Sequence, residues 1–122
     1  MKTVEAIIRP DRLQAVQDAL DALGSSGLTV TDVLGCGRQR GYTETYRGAR
    51  ANISLQRKVK VEAVVEDVRV EAVVEAITGA ARTGEIGDGK IFILPVDEAV
   101  RIRTGERGDE TVRHREPEHW GH

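Results

Sequence analysis

Leu28-Thr-Val-Thr-Asp-Val-Leu34, then Gly35-Cys-Gly-Arg-Gln-Arg-Gly-Tyr-Thr-Glu-Thr-Tyr-Arg-Gly48, then Lys58-Val-Lys-Val-Glu-Ala-Val-Val65: this run of three segments decides the fold. The first is rich in β-branched residues. The third alternates Val59, Val61, Ala63 and Val65 with Lys58, Lys60, Glu62 and Val64, so both read as strands. Between them the polar segment from Gly37 to Gln56, roughly 20 residues, has neither a helical nor a strand period, which predicts a long mobile loop joining strands 2 and 3. Fixing its backbone would cost on the order of 20–40 kcal/mol at about 1–2 per residue. Its few apolar side chains, chiefly Ile53 and Leu55, do not offset that, so order should come from a ligand or partner.

On the N-terminal side, Val4, Ala6 and Ile8 alternate with Thr3, Glu5 and Ile7 in a first strand closed by Pro10. Leu13, Val16, Leu20 and Leu23 then recur at helical spacing, with Asp11 as N-cap and Gly24 as C-terminal stop. On the C-terminal side, Asp67 is placed to cap a second helix carrying Val70, Val73, Val74 and Ile77, followed by a buried strand from Ile91 to Val96. The order β-α-β-β-α-β is the α+β, ferredoxin-like split arrangement, with two helices on one face of an antiparallel sheet. Val64 and Ile7 lie on the face opposite Val61 and Ala6, so both faces carry apolar residues and self-association is the simplest cover.

The 122 residues, 39% hydrophobic, fit one domain over 1–108 followed by a polar, flexible tail over 109–122. A net charge of −2 argues against affinity built on many phosphates of a nucleic acid, and 3% aromatics argues against base stacking. The single Cys36 forms no internal disulfide and no leader pattern opens the chain, which favours a reducing, cytoplasmic setting. No apolar run approaches the roughly 20 residues that span a bilayer. His114, His119 and His122 beside Trp120 have no recognised metal-ligand spacing. Cys36 reads as a small buried filler without chemistry of its own.

Two glycine loops carry the functional signal. Gly35 to Gly48 brings Arg38 and Arg40, and Thr83-Gly-Glu-Ile-Gly-Asp-Gly-Lys90 brings a backbone nest and an ammonium, a combination suited to a nucleotide phosphate. Gly84 to Lys90 satisfies G-x-x-x-x-G-K. However, Ile91 stands where magnesium needs a hydroxyl, and the loop leaves a helix to enter a strand, the reverse of a P-loop. Arg101 and Arg103, two apart in an extended chain, would share a face toward an oligophosphate. An ATP-consuming enzyme using Glu44, Glu62 or Asp88 to orient water is the competing class, but no residue is singled out as its base.

Ala6-Ile-Ile-Arg-Pro10, Gly27-Leu-Thr-Val-Thr31, Gly35 to Gly48, Lys58-Val-Lys-Val-Glu62, Arg82 to Lys90 and Val100 to Gly105 together closely resemble the PII signal transduction proteins, over Met1 to about Glu106. The resemblance implies a homotrimer sensing nitrogen, carbon and energy status, with ATP or ADP in clefts between subunits. It places the base near Ile7, Gly35, Glu62 and Val64, with Thr29 contributed across the interface. Phosphates would meet Gly37, Arg38, Gly87, Asp88, Gly89 and Lys90, with Arg101 and Arg103 from the neighbour. Gln39 would ligate Mg2+, and the ATP-held magnesium would chelate 2-oxoglutarate, whose distal carboxylate pairs with Lys58 and approaches Arg9. Arg47 matches the loop-tip residue that family members insert into ammonium channels. A membrane ammonium channel or other transporter, or a nitrogen or carbon metabolic enzyme, is therefore the implied partner, with peripheral membrane association through a transporter.

Departures from the family pattern shape the expectation. Ala51 stands where many members carry a modified tyrosine, and Ala49 lacks the hydroxyl phosphorylated in others, so control by ligands is favoured over covalent charge addition, with Tyr42, Tyr46 and Ser54 left as the candidates for modification. Arg50 and Arg57 make the large loop more basic, and Glu85 adds a negative charge to the second loop. The alternative reading is a divergent adenylate sensor that does not respond to 2-oxoglutarate.

Overall fold

A computed structural model describes residues 1–25, 27–38 and 53–113. Four strands, β1 (Lys2–Ile8), β2 (Thr29–Arg38), β3 (Ile53–Val65) and β4 (Gly89–Pro95), and two helices, α1 (Leu13–Ala22) and α2 (Val70–Ala81), follow one another as β-α-β-β-α-β. All neighbouring strands pair antiparallel in the order β2-β3-β1-β4, so the first and third strands in sequence occupy the centre. This is the α+β arrangement expected from the sequence.

Strand alternation divides the side chains. Val4, Ala6, Ile8, Val59, Val61, Ala63 and Val65 point into the helical layer and are buried against Val16, Leu20, Val70, Val73, Ile77 and Ala81. Each valine, leucine or isoleucine among them contributes roughly 1.5–3 kcal/mol when fully buried, which makes this layer the source of stability. The opposite face presents Glu5, Ile7, Thr29, Lys58, Lys60, Glu62, Val64 and Lys90 by the same alternation.

The helix ends differ from expectation at their starts. Asp11 does not cap α1, because Pro10–Arg12 forms a 3-10 turn that carries Asp11 inside it and leaves Arg12 at the N-cap. Asp67 likewise sits in a 3-10 turn, Asp67–Arg69, and its carboxylate instead accepts the Met1 ammonium at 3.0 Å and Lys2 Nζ at 3.1 Å. Those bonds, first that from the N-terminus, hold the Asp67 carboxyl below the ordinary carboxylate range. The predicted stop of α1 is present: Gly24, at φ 75°, donates to Asp21 O and Ser25 donates to Leu20 O, closing the helix through a left-handed residue.

The helices clasp each other at both ends. Arg12, before α1, donates through Nε and Nη2 to Ala80 O at 3.0 and 2.7 Å near the end of α2. Arg69, before α2, donates to Leu23 O at 2.8 Å, just past the end of α1. Each arginine thus satisfies a terminal carbonyl of the opposite helix.

Two further expectations change. The polar segment is shorter than 37–56, because Gly37 pairs with Ser54 and Arg38 with Ile53, and Leu55 and Gln56 also lie in β3. Backbone pairing needs no side-chain periodicity, so the ladder runs past the point where the pattern fades. Residues 39–52, including Gln39, Arg47 and Ala51, and the tail from 114 lie outside the described residues. The last strand is an edge, not a buried strand: Phe92, Ile93 and Leu94 are 48%, 45% and 43% exposed within one chain. After β4, Val100 pairs with Arg107 in a small hairpin, and Gly108–Thr111 makes a 3-10 turn.

Candidate functional site

The register of β1 with β4 sets the site. Ile7 faces Lys90 and Ile8 faces Gly89, which brings the second glycine loop alongside the end of the first strand. Gly89 has φ 108°, and a Cβ there would lie 1.8 Å from Ile7 O, so only glycine permits this approach.

Asp88 organises the loop between α2 and β4. Its Oδ2 accepts the backbone N–H of Thr83 at 2.7 Å and of Gly84 at 2.8 Å, while Oδ1 accepts the Thr83 hydroxyl and Arg9 Nε, the latter at 2.9 Å. Arg9 also donates through Nη2 to Ile86 O at 2.6 Å. Lys58, from β3, closes the group by donating to Gly87 O at 2.7 Å. Arg9, Lys58, Gly87 and Asp88 are therefore brought together as one cationic notch. A Cβ at Gly87, itself at φ 100°, would stand 3.3 Å from Arg9 Nη2 and 3.6 Å from Lys58 Nζ. Gly35 faces Gln56 across β2 and β3, and a Cβ on it would press on Lys58 Cγ at 3.1 Å. The two glycine regions flank the same lysine, and Cys36, next to Gly35, is exposed in the chain and not the buried filler expected.

The hydrogen bonds from the Thr83 hydroxyl, then Arg9, then the backbone of Thr83 and Gly84 stabilise the carboxylate and hold the Asp88 pKa well below its ordinary 3.8. A lowered folded-state pKa means the Asp88 contribution is fully present above 3.8 and is lost as pH falls through the folded value. The Thr83 and Gly84 amide resonances are accordingly expected to stay fixed as pH drops through 3.8. Asp88→Asn is expected to speed hydrogen exchange at both amides, because one face of the new amide group is a donor that cannot accept their N–H bonds; unchanged exchange would count against this anchoring role.

At the far end of the sheet's open face, Thr29 faces Glu62 in register, and Val64 faces Thr3. Thr29, Glu62 and Val64 line a cleft of about 380 Å3 together with Gly27, Leu28, Thr111 and Val112. The residues expected near a nucleotide base thus divide. Ile7 and Gly35 stand toward the notch, and Thr29, Glu62 and Val64 toward this cleft.

Arg101 and Arg103 do not share one face of an extended chain. They occupy a turn in which Gly105 N donates to Arg101 O at 2.7 Å. Gly105, at φ 77°, permits that reversal. Arg101 Nη2 donates to the carbonyls of Glu110 at 3.2 Å and Thr111 at 3.5 Å. Its Nε lies 2.8 Å from Glu106 Oε1 yet is not aligned to donate to it, so the contact is an ion pair without a hydrogen bond. Among the described residues there is no cluster of three metal-ligating side chains, and no helix is long and apolar enough to cross a membrane.

Sequence reasoning missed Thr83 as the partner of Asp88, Ile86 as a carbonyl acceptor, and the segment around Thr111 as a wall of the second cleft. The spacing Thr83-x-x-x-x-Asp88 in so short a loop was the available signal for the first. The others depend on tertiary approach.

The described residues thus form a ferredoxin-like α+β domain with a glycine-lined cationic notch at one end of its sheet. The family model for Nitrogen regulatory protein P-II matches residues 1–106. Curated P-II proteins are similar throughout: one from Cereibacter sphaeroides is 57% identical over 112 residues, covering 92% of this chain and all of its own. Another, from Microchaete diplosiphon, is 58% identical with the same coverage. The crystal structure of Arabidopsis thaliana PII bound to citrate matches with TM-score 0.73 and 46% identity, covering 89% of each chain. The chain belongs to the nitrogen regulatory protein P-II family. It is a regulatory protein and not an enzyme, as the family's naming for nitrogen regulation indicates.

Proposed function

We propose that this protein is a homotrimeric P-II sensor that binds ATP or ADP between subunits and, with Mg-ATP, 2-oxoglutarate. Its output is the segment between β2 and β3, through which it regulates a transporter or a nitrogen or carbon metabolic enzyme in the cytoplasm, with Arg47 as a partner contact. The observation that carries this reading is the joining of Lys58 and Arg9 to the second glycine loop, through Gly87 O, Ile86 O and Asp88. A dicarboxylate drawing on Lys58 and Arg9 must disturb the same loop that offers Gly87, Asp88, Gly89 and Lys90 to phosphates. Shared groups of this kind couple two ligands, typically by about 1–3 kcal/mol.

Further support comes from the exposed Phe92, Ile93 and Leu94 edge, which self-association would cover. The citrate-bound relative is in keeping with a site that accepts carboxylates. Gln39 is assigned to magnesium, and Arg38, Arg101 and Arg103 to phosphates, on the family pattern. Ala51 removes the modifiable tyrosine, which favours ligand occupancy over covalent modification as the control.

The test is calorimetric titration of ATP and of ADP, each with magnesium and with or without 2-oxoglutarate. Binding of 2-oxoglutarate only in the presence of Mg-ATP is expected. Nucleotide binding without that synergy would make the protein an adenylate sensor, and no nucleotide binding would refute the sensor reading.

A further inference from the structure

The segment after Gly108 is fastened to the domain at a point where the P-II reading assigns it no part. Arg113 lies between two carboxylates: Nη2 and Nε approach Glu66 Oε2 at 3.2 and 3.4 Å, and Nη1 donates to Glu110 Oε2 at 3.0 Å. Glu66 directly follows β3 and precedes the 3-10 turn Asp67–Arg69, and its side chain is only 20% exposed. Arg113 therefore ties the 3-10 turn Gly108–Thr111 to the sheet. Within that turn Thr111 Oγ1 donates to Gly108 O at 2.8 Å and Val112 N donates to Asp109 O at 3.1 Å, which fixes the direction of the neighbouring carbonyls.

Two of those carbonyls, on Glu110 and Thr111, hold Arg101 Nη2. Glu106 sits at the Nε side of the same guanidinium. The fork is therefore held on two sides, by carbonyls at Nη2 and by the Glu106 carboxylate beside Nε. The same turn brings Thr111 and Val112 into the cleft that Thr29 lines. One short segment thus relates Arg101 to Thr29, two of the three residues, with Arg103, that the nucleotide reading assigns to the donating subunit.

We propose that Arg113, paired with Glu66, is a positioning residue for nucleotide binding: it fixes the turn Gly108–Thr111, whose carbonyls preorganise Arg101 as an oligophosphate ligand. This rests on the nucleotide reading above. Arg113 itself touches no ligand. Its effect is the ordering cost that Arg101 would otherwise incur on binding, which for one rotamer-rich side chain corresponds to about three- to tenfold in affinity.

The experiment is titration of the full-length protein with Mg-ATP. Arg113→Ala is expected to weaken binding by about three- to tenfold, Arg113→Lys to recover part of the loss, and Glu66→Gln to shift affinity in the same direction as Arg113→Ala. In an Arg101→Ala background, Arg113→Ala should cost nothing further, because its route to the ligand is gone. A purely structural role would instead give the same loss in both backgrounds. That result, or unchanged affinity in both Arg113→Ala and Glu66→Gln, overturns the proposal while leaving nucleotide binding by the unaltered protein in place. Failure of the unaltered protein to bind ATP removes the nucleotide reading and this proposal with it.

Discussion

Gly89→Ala is expected to destabilise the protein by about 3 kcal/mol or more and to lower Tm by roughly 10 °C. Two costs combine at this position. The backbone has φ 108°, where a Cβ is strained, and the added carbon would lie 1.8 Å from Ile7 O and 2.9 Å from Ile7 C. Neither neighbour is the end of a flexible side chain, so relief requires the start of β4 to move off β1. That movement would break the pairing of Ile8 with Gly89 and Ile7 with Lys90. Gly84 supplies the control. It has φ 90° but nothing within 4 Å of an added Cβ, so Gly84→Ala should carry the backbone strain alone, about 1 kcal/mol. Chemical denaturation of both variants separates the terms. Equal losses would mean that the approach of Gly89 to β1 is not tight, and the register at the notch would then lose its steric basis.

The contrast between these glycines also marks how far the amino-acid sequence reaches by itself. Both appear as members of Gly84-Glu-Ile-Gly-Asp-Gly-Lys90, and the sequence treats them alike. Only the sheet order, with β4 beside β1, makes one of them sterically obligatory. The element order was legible because Val4, Ala6 and Ile8, and Val59, Val61, Ala63 and Val65, are buried on one face with period two. Val70, Val73 and Ile77 likewise follow a helical period. Periodicity reports burial, so it fails where burial does not repeat. Gly37, Arg38 and Ile53 to Gln56 lie in strands without a pattern, and Ile91 to Leu94 reads as buried although much of that edge is exposed in one chain.

Caps were legible where the backbone itself demands a residue type. Gly24 ends α1 because φ 75° favours glycine. Asp11 and Asp67 have the right chemistry for N-caps, but side chains from elsewhere decide their use. Arg12 and Arg69 instead clasp the opposite helix ends, and Asp67 answers the N-terminus. The site followed the same division. The grouping of glycines with Arg9, Lys58 and Lys90 was visible as composition and family pattern, whereas the bond from Lys58 to Gly87 O joins residues 29 apart in sequence and exists only through the sheet.

Lys58→Ala is expected to weaken 2-oxoglutarate binding in the presence of Mg-ATP by about 10- to 150-fold, the equivalent of one charge-assisted hydrogen bond of roughly 1.5–3 kcal/mol. The magnitude is bounded by what Lys58 already does. Its ammonium donates to Gly87 O at 2.7 Å, so a carboxylate gains Lys58 by replacing or sharing that bond. The net gain is the difference between a bond to a carboxylate and one to a neutral carbonyl, which places the expected loss nearer the lower limit if Gly87 O finds no other donor when freed. Lys58→Arg separates charge from shape. It keeps the positive charge but presents a planar fork in place of a compact ammonium that makes a single point contact with Gly87 O. Recovery by arginine would show that long-range charge suffices, and failure would show that the point contact is required. ATP affinity supplies the internal reference. If Lys58→Ala reduces ATP and 2-oxoglutarate binding equally, Lys58 acts by holding the Gly87 loop for phosphates. If only 2-oxoglutarate is lost, the lysine contacts the dicarboxylate itself, and the bond to Gly87 O is the resting position from which it is recruited.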